Sequence, residues 1–137
     1  MFARIVLPVC FALFSSTVMS QTIEFVVDNQ AYPAELNGND AAKSLVSQLP
    51  ITLVFDNFGS LERIATPPKS LSLGSAPQEC DPVRGTISYY IPWGNLAIFK
   101  GSFRHSPDLV PLGEMSEEAL KAVETSGKKP VTIRLAK

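Results

Sequence analysis

The chain has 137 residues, of which 45% are hydrophobic and 18% charged, and this composition is typical of a single globular domain. Its formal net charge is -1 and its basic residues form no stripe, so we expect no binding to nucleic acid or to anionic lipid.

Residues 1–20 have the three parts of a secretory signal peptide. Arg4 provides a basic start, an apolar run extends from Ile5 to Phe14, and a polar tail follows. The apolar run is about half as long as the roughly 20 residues that span a bilayer, so a retained membrane anchor is not expected. The sequence therefore predicts cleavage before Gln21, which leaves a periplasmic or secreted domain of residues 21–137.

The two cysteines are Cys10, inside the predicted signal peptide, and Cys80. A lipoprotein signal at Cys10 is a weaker alternative, because Val9 fits poorly before a lipidated cysteine. After cleavage Cys80 is the sole thiol, so an internal disulfide is impossible, whereas an intermolecular one stays open. The carboxylates of Glu79 and Asp81 oppose thiolate formation, which predicts a passive or buried thiol rather than a nucleophile.

The first half of the domain combines short strands with one helix. Asn39 or Asp40 can cap the helix, whose apolar residues follow the i, i+3, i+4 spacing as far as Pro50. Pro33 lacks an N–H, so its strand is either an edge strand or paired only on its other side. The predicted strands are Ile23 to Val27, Ala31 to Leu36, Ile51 to Phe55 and Leu61 to Ala65, with a turn at 56–59.

Residues 66–82 contain four prolines, together with three serines and one glycine, which predicts a long loop. Leu71 and Leu73 give this loop two apolar side chains that can pack against the mouth of a barrel. Loops of this length in compact domains often carry binding sites. We therefore expect a site between this loop and the hairpin that follows it.

That hairpin, Thr86 to Ile91 and Asn95 to Lys100, carries the strongest strand signal in the chain. Its first strand alternates between two faces, with Ile87 and Tyr89 on one of them. Its second strand is apolar at nearly every position, which indicates a strand that is covered on both faces. We place this hairpin at the centre of the barrel.

The last third begins with a polar loop from Gly101 to Asp108 and a strand from Leu109 to Glu114. Ser116 can cap a second helix, which Gly127 ends. Val131 to Leu135 then alternates as a half-buried strand. In total the elements predict a mainly β fold, a closed eight-stranded β-barrel with two short helices.

In order and spacing these elements resemble a cyclophilin over residues 22–136, and in particular the bacterial cyclophilin-like domains. The helix opening Asn39-Asp40-Ala41-Ala42 and the phrase from Tyr89 to Asn95, YYIPWGN, are similar to that bacterial group. Three further segments are similar to sequence motifs of the cyclophilins: Glu62-Arg63-Ile64, Gly85-Thr86-Ile87-Ser88 and Leu112-Gly113-Glu114-Met115.

The resemblance implies a peptidyl-prolyl isomerase site in which Arg63 is the catalytic residue. The barrier to prolyl isomerisation, about 18 to 20 kcal/mol, comes from amide resonance, and a cation that donates to the prolyl nitrogen weakens it. Alternatively, Arg63 is a surface residue that is solvated or paired with Glu62 or Asp56.

Other positions depart from the cyclophilin pocket. Residues 66–69, Thr-Pro-Pro-Lys, replace the family's Phe, Met and Gln, which form the proline-binding wall and hold the substrate carbonyl. Tyr90 stands where the family has a small residue, and Ile98 lies roughly where it has an aromatic wall. Each lost apolar contact costs roughly 1 to 3 kcal/mol of substrate binding. We therefore expect a filled groove and no efficient catalysis.

Trp93 and His105 complete the candidate site. Trp93 can stack on a peptide or a small ligand, or it can cap the end of the barrel core. His105 is the only histidine, and without a second histidine or a cysteine pair the sequence predicts no metal site and no cofactor. The chain has no glycine-rich phosphate loop and no nucleophile elbow.

The sequence thus predicts an exported domain that binds a peptide or a small ligand, or acts as an interaction module, through Tyr90, Trp93, Ile98 and His105. The alternative is a periplasmic peptidyl-prolyl isomerase that uses Arg63. A third class, a subunit of a larger assembly, predicts an exposed apolar patch around Trp93.

Overall fold

The computed structural model describes residues 19–137, so the predicted signal peptide, apart from its last two residues, lies outside the described residues. This part of the chain forms two helices and eleven strands. They are β1 (Gln21–Val27), β2 (Gln30–Leu36), α1 (Asp40–Val46), β3 (Ile51–Val54), β4 (Asp56–Phe58), β5 (Glu62–Ala65), β6 (Glu79–Cys80), β7 (Thr86–Tyr90), β8 (Asn95–Phe99), β9 (Ser106–Pro107), β10 (Leu109–Met115), α2 (Glu117–Glu124) and β11 (Pro130–Leu135).

Nine strands form one antiparallel sheet in the order β3-β11-β1-β2-β10-β7-β8-β5-β4. The two ends of this sheet, β3 and β4, are consecutive in the chain and are separated only by Phe55. The chain itself therefore joins the ends, and the sheet becomes a nearly closed barrel. With β3 and β4 taken as one bent strand, the predicted eight-stranded barrel with two helices is confirmed.

The barrel interior holds the main hydrophobic core. Inward residues alternate along the strands, as Phe25 and Val27 do in β1, because successive side chains of a strand point to opposite faces. The helices add further apolar side chains to the same core, including Leu45 of α1 and Leu120 and Val123 of α2. Asn39 and Ser116 cap the two helices, as predicted, by accepting hydrogen bonds from backbone N–H groups.

The central hairpin follows its predicted pattern. Ile87 and Tyr89 of β7 point into the core, whereas Tyr90 lies on the outer face. Every residue of β8 is buried, which confirms that this strand is covered on both faces. Leu96 and Ile98 belong to the interior core, while Ala97 and Phe99 belong to a second apolar cluster outside the barrel wall.

The long loop at 66–82 closes part of the barrel core, as its leucines predict. Leu71 is buried, and its backbone N–H donates to the Tyr89 hydroxyl at 3.3 Å. The backbone N–H and the hydroxyl of Ser75 both donate to the Asp40 carboxylate, and these bonds lower the pKa of Asp40. The loop is thus fastened to the start of α1.

Three local predictions needed correction. Residues 56–58 form β4 rather than a turn, so the hairpin turn to β5 comes after Phe58. Helix α1 ends at Val46, short of Pro50. The polar loop at 101–108 contains β9, which pairs with β6 at the end of the long loop. Two-residue strands are too short to show a period, so the sequence did not indicate this pair.

Pro33 lies in β2, which is an inner strand between β1 and β10. The ladder between β2 and β10 begins only at Ala34, so the missing N–H of Pro33 leaves no bond unmade there. Because β2 is paired with both β1 and β10, neither predicted alternative holds for the strand as a whole, and only Pro33 itself lacks a ladder partner on the β10 side.

Candidate functional site

A cleft of about 310 Å³ opens on the outer face of the barrel, away from the interior core. One side of it is the sheet surface of β4, β5 and β8, and the other is the chain segment at 103–109. The lining residues are Phe58, Glu62, Ile64, Tyr90, Trp93, Asn95, Phe99, Phe103, Arg104, Ser106, Pro107, Asp108 and Leu109.

Strand register brings the sheet residues of the cleft together. Glu62 is paired with Phe58 on one side and with Phe99 on the other, so these three side chains form a row across β4, β5 and β8. Tyr90 is paired with Asn95 in the β7–β8 hairpin. Paired residues of antiparallel strands share a face, which explains why residues distant in sequence line one cavity.

Aromatic rings form the walls of the cleft. The Trp93 ring packs edge to face against Phe58 at 5.1 Å and against Tyr90 at 5.7 Å between centroids. Phe99 and Phe103 form a second, stacked pair at 6.1 Å. Trp93 remains 56% exposed and Phe58 45% exposed, so the cleft presents ring surface to solvent.

Three charged side chains line the cleft. The Arg104 guanidinium lies 4.7 Å from the centre of the Phe103 ring, within the range of a cation–π contact. Glu62 stands between Phe58 and Phe99, and burial raises the pKa of its carboxyl group. Asp108 is the third. These residues leave the cleft with one net negative charge when all three are ionised.

Asn95 is the polar residue of the cleft with an unmet hydrogen bond. It is only 5% exposed, and its Oδ1 atom is buried without a hydrogen-bond partner among the described residues. Buried polar side-chain atoms nearly always have a partner, because an unpaired one costs about 1 to 3 kcal/mol. The cleft is therefore lined by an amide whose oxygen has an unused hydrogen-bonding capacity.

The cleft brings together two of the predicted site residues, Tyr90 and Trp93. Trp93 does not cap the interior core, and Tyr90 forms part of a wall rather than a filled floor. The filled groove predicted from Arg63, Tyr90 and Ile98 stays a prediction, because only Tyr90 of these three residues lines this open cleft. Ile98 lies elsewhere, fully buried inside the barrel, and the long loop at 66–82 lines no part of the cleft.

Arg63 also points into the barrel rather than into the cleft, and it is 2% exposed. Its Nε donates to the Val123 carbonyl at 3.1 Å and its Nη1 to the Asn57 side chain at 3.1 Å. Its Nη2 donates to the Ser126 hydroxyl at 2.9 Å and to the Gly127 carbonyl at 2.7 Å. Arg63 therefore ties the end of α2 to the barrel wall, and burial lowers its pKa.

His105 is exposed and lies between two lining residues, Arg104 and Ser106. Its Nδ1 is 2.8 Å from an Asp81 carboxylate oxygen, and its Nε2 is 3.4 Å from one of Glu79. These contacts raise the pKa of His105, with the hydrogen bond to Asp81 as the main cause. They fasten the segment at 103–109, which is one wall of the cleft, to the strand β6 beside it.

Cys80 is a half-buried free thiol between the two acids that hold His105. Burial and the Asp81 charge raise its pKa, as predicted for a passive thiol.

Within residues 19–137, no group of three or more His, Cys, Asp and Glu side chains is arranged to hold a metal ion. Neither helix in this part of the chain has the length and apolar character that crossing a bilayer requires.

Most of the cleft was not predicted from the sequence. The residues that were missed include Phe58, Glu62, Asn95, Phe99, Phe103, Arg104 and Asp108. The one available signal was the double burial of β8, since Phe99 on its outer face implies a second apolar surface that other residues must complete.

The protein is thus a mainly β protein, with a nearly closed antiparallel barrel, two helices and an aromatic cleft on the outer wall. The sequence model of the cyclophilin-like family matches residues 25–134, and the chain belongs to that family. The fold is similar to the solution structure of a hypothetical protein from Archaeoglobus fulgidus, with a TM-score of 0.59 and 15% sequence identity. That similarity covers 85% of this chain and 95% of the other. A search of curated proteins finds no match.

The hydrogen bonds of Arg63 predict a large effect on stability. Arg63→Met would leave the Gly127 carbonyl and the Asn57 side-chain oxygen without the donor they have in the structure, whereas the Val123 carbonyl would keep its hydrogen bonds from Ser126. We expect the free energy of unfolding to fall by about 3 kcal/mol, since hydrogen bonds from a charged donor are the costly ones to lose. Urea unfolding measures this change. Arg84→Met is the matched control, because Arg84 makes its ion pairs at the surface. An equal loss in both variants would contradict the role of Arg63.

The contacts of His105 predict a pH dependence. The pKa of His105 lies above its ordinary value of about 6.5 in the folded protein. Its ion pairs therefore contribute stability that is complete below the unfolded pKa and is lost as the pH rises through the folded pKa. Because His105 is the only histidine, an NMR titration of its ring protons measures this pKa directly.

Asp81→Asn should lower the measured pKa of His105, whereas Glu118→Gln, an acid of α2, should leave it unchanged. A value at or below 6.5 in the unaltered protein would show that the two carboxylates do not hold the ring.

Proposed function

We propose that the protein is an exported cyclophilin-like domain that binds a peptide segment or a small ligand in its outer cleft, without efficient catalysis. The observation that carries this proposal is the cleft itself, which is lined by exposed aromatic rings and by Asn95, whose buried amide oxygen has no partner among the described residues. Concave sites with apolar walls and a few convergent polar groups are the usual form of ligand sites in proteins.

The walls suit a ligand with an apolar body. Trp93 and Phe58 both line the cleft and are each about half exposed, and covering aromatic surface of this kind is a main source of binding energy. The Asn95 amide would orient the ligand, because its Oδ1 is an acceptor for a hydrogen bond from a ligand N–H or O–H. A peptide backbone and many small metabolites carry such donors.

The alternative, a prolyl isomerase, requires a cation close to the prolyl nitrogen. The four hydrogen bonds of Arg63 go to Asn57 and to residues at the end of α2, and its guanidinium is not among the groups that line the cleft. The guanidinium that does line the cleft belongs to Arg104 and lies over Phe103. These positions favour binding over catalysis, although Arg63 as a catalytic residue stays a prediction.

An NMR titration with an acetylated Ala-Ala-Pro-Phe amide tests the binding site. We expect shifts of the Trp93 indole N–H, the Asn95 side-chain amide and the backbone of residues 103–109, with smaller shifts in the loop at 66–82. Trp93→Ala should weaken binding by about tenfold, because it removes roughly 1 to 2 kcal/mol of apolar contact. Leu135→Ala, which alters an exposed apolar residue of β11, is the control.

The related peptide with a chromogenic leaving group reports isomerase activity in a coupled proteolysis assay. We expect no turnover above background in the unaltered protein. Turnover that Arg63→Ala abolishes would establish the isomerase alternative, and turnover that only Arg104→Ala abolishes would place catalysis in the cleft. Shifts confined to the loop at 66–82 would instead move the binding site there.

Export is a separate part of the proposal. The pattern of residues 1–20 supports a cleaved signal peptide and a periplasmic or secreted location. Expression of the full sequence in a bacterial host should yield a protein whose N-terminus, measured by mass spectrometry, is Gln21. Replacing the apolar residues Leu7 and Leu13 by Asp should leave the uncleaved protein in the cytoplasmic fraction. A cleaved and exported product from that variant would contradict the assignment.

A further inference from the structure

The charges and rings of the aromatic cleft narrow the class of ligand that it fits. We infer that the cleft binds a small organic cation, an ammonium group with alkyl substituents, between the Glu62 carboxylate and the rings of Phe58 and Trp93. This inference rests on the proposed function, since it names the class of ligand for the same cleft.

Glu62 is the first of the groups that favour a cation. It belongs to the row formed with Phe58 and Phe99, so aromatic side chains flank its carboxylate on both neighbouring strands. None of the ion pairs of residues 19–137 includes Glu62. A half-buried carboxylate without a cationic partner is stabilised by a ligand that brings the missing charge.

The rings supply the second attraction. Aromatic faces carry negative charge density and attract cations that lie within about 6 Å of the ring centre. The planes of Phe58 and Trp93 meet at 85°, so the two rings form a corner. A compact alkylammonium group has no preferred direction of approach, and a corner of this kind contacts it on two sides. Compact cations of this type are common ligands of aromatic cages.

Arg104 forms no ion pair with Glu62 in residues 19–137. Its guanidinium lies over the ring of Phe103, which stacks on Phe99. With Asp108 included, the acids of the cleft outnumber its single cation, so the net charge still favours a positive ligand. The volume, about 310 Å³, lies at the lower end of the range for small-molecule sites, which suits a ligand as small as an alkylammonium compound.

Intrinsic fluorescence tests the inference directly, because Trp93 is the only tryptophan in the chain. The protein is titrated with choline, with its neutral isostere 3,3-dimethylbutan-1-ol and with the anion 3,3-dimethylbutanoate. We expect choline to change the Trp93 emission at a concentration about tenfold lower than the neutral compound, and the anion to have the weakest effect.

Two variants separate the contributions of charge and ring. Glu62→Gln should weaken choline binding by about tenfold and leave the neutral isostere unchanged. The matched control is Glu118→Gln, which removes one negative charge from α2 and should change neither affinity. Phe58→Leu keeps an apolar side chain but removes a ring face, so it should weaken choline by about fivefold and the neutral isostere by less. Phe58 is 45% exposed, so this variant also serves if Glu62→Gln does not fold.

Several results would overturn the inference. These are equal affinity for choline and its neutral isostere, tighter binding of the anion, an equal loss in Glu62→Gln and Glu118→Gln, or binding of a lysine peptide where choline does not bind. If choline has no effect while the capped proline peptide still shifts the Trp93 and Asn95 signals, the cleft is a ligand site of another class. If neither compound perturbs Trp93, the inference and the proposed binding function both fail.

Discussion

Burial of β8 on both faces is the constraint on which the rest of the structure depends. Leu96 and Ile98 complete the interior core, and this leaves Ala97 and Phe99 to be covered from outside the barrel. Apolar surface of this size is costly to leave in water. The chain covers it with Leu109 and with the short β6–β9 pair, but the cover does not extend to the end of the hairpin. The aromatic cleft occupies the part of the outer wall that remains open.

The same constraint explains why so much of the fold was predictable. Local patterns in the sequence indicate which side of an element faces the core. Examples are the alternation in β7, the apolar run of β8 and the apolar spacing of the two capped helices. The elements that were not predicted are those without a periodic pattern of apolar residues. The pairing of β6 with β9 involves two residues on each side, and β4 has three residues with a turn-like composition, so neither differs from a loop in the sequence.

The cleft was harder to predict than the fold, because its lining residues come together only through the pairing of strands and the path of the loops between them. Phe58, Glu62 and Phe99 become neighbours only through the pairing of three strands, and no spacing in the sequence records that pairing. The surface position that was one alternative for Arg63 is wrong, because this residue is 2% exposed. Carbonyl and hydroxyl groups near the end of α2 bind its guanidinium. The position of those groups is a tertiary fact that local sequence does not encode.

The bend at Phe55, which connects the two end strands β3 and β4 of the sheet, affects the tendency of the protein to aggregate in concentrated solution. A sheet that is not fully closed by hydrogen bonds has two outer strands, and such strands can recruit a second molecule into a shared sheet. Here those strands are only four and three residues long, and the fully buried Phe55 ring anchors the bend between them. Their shortness leaves little template for a neighbouring chain, so the seam of the barrel protects the domain against edge-to-edge aggregation.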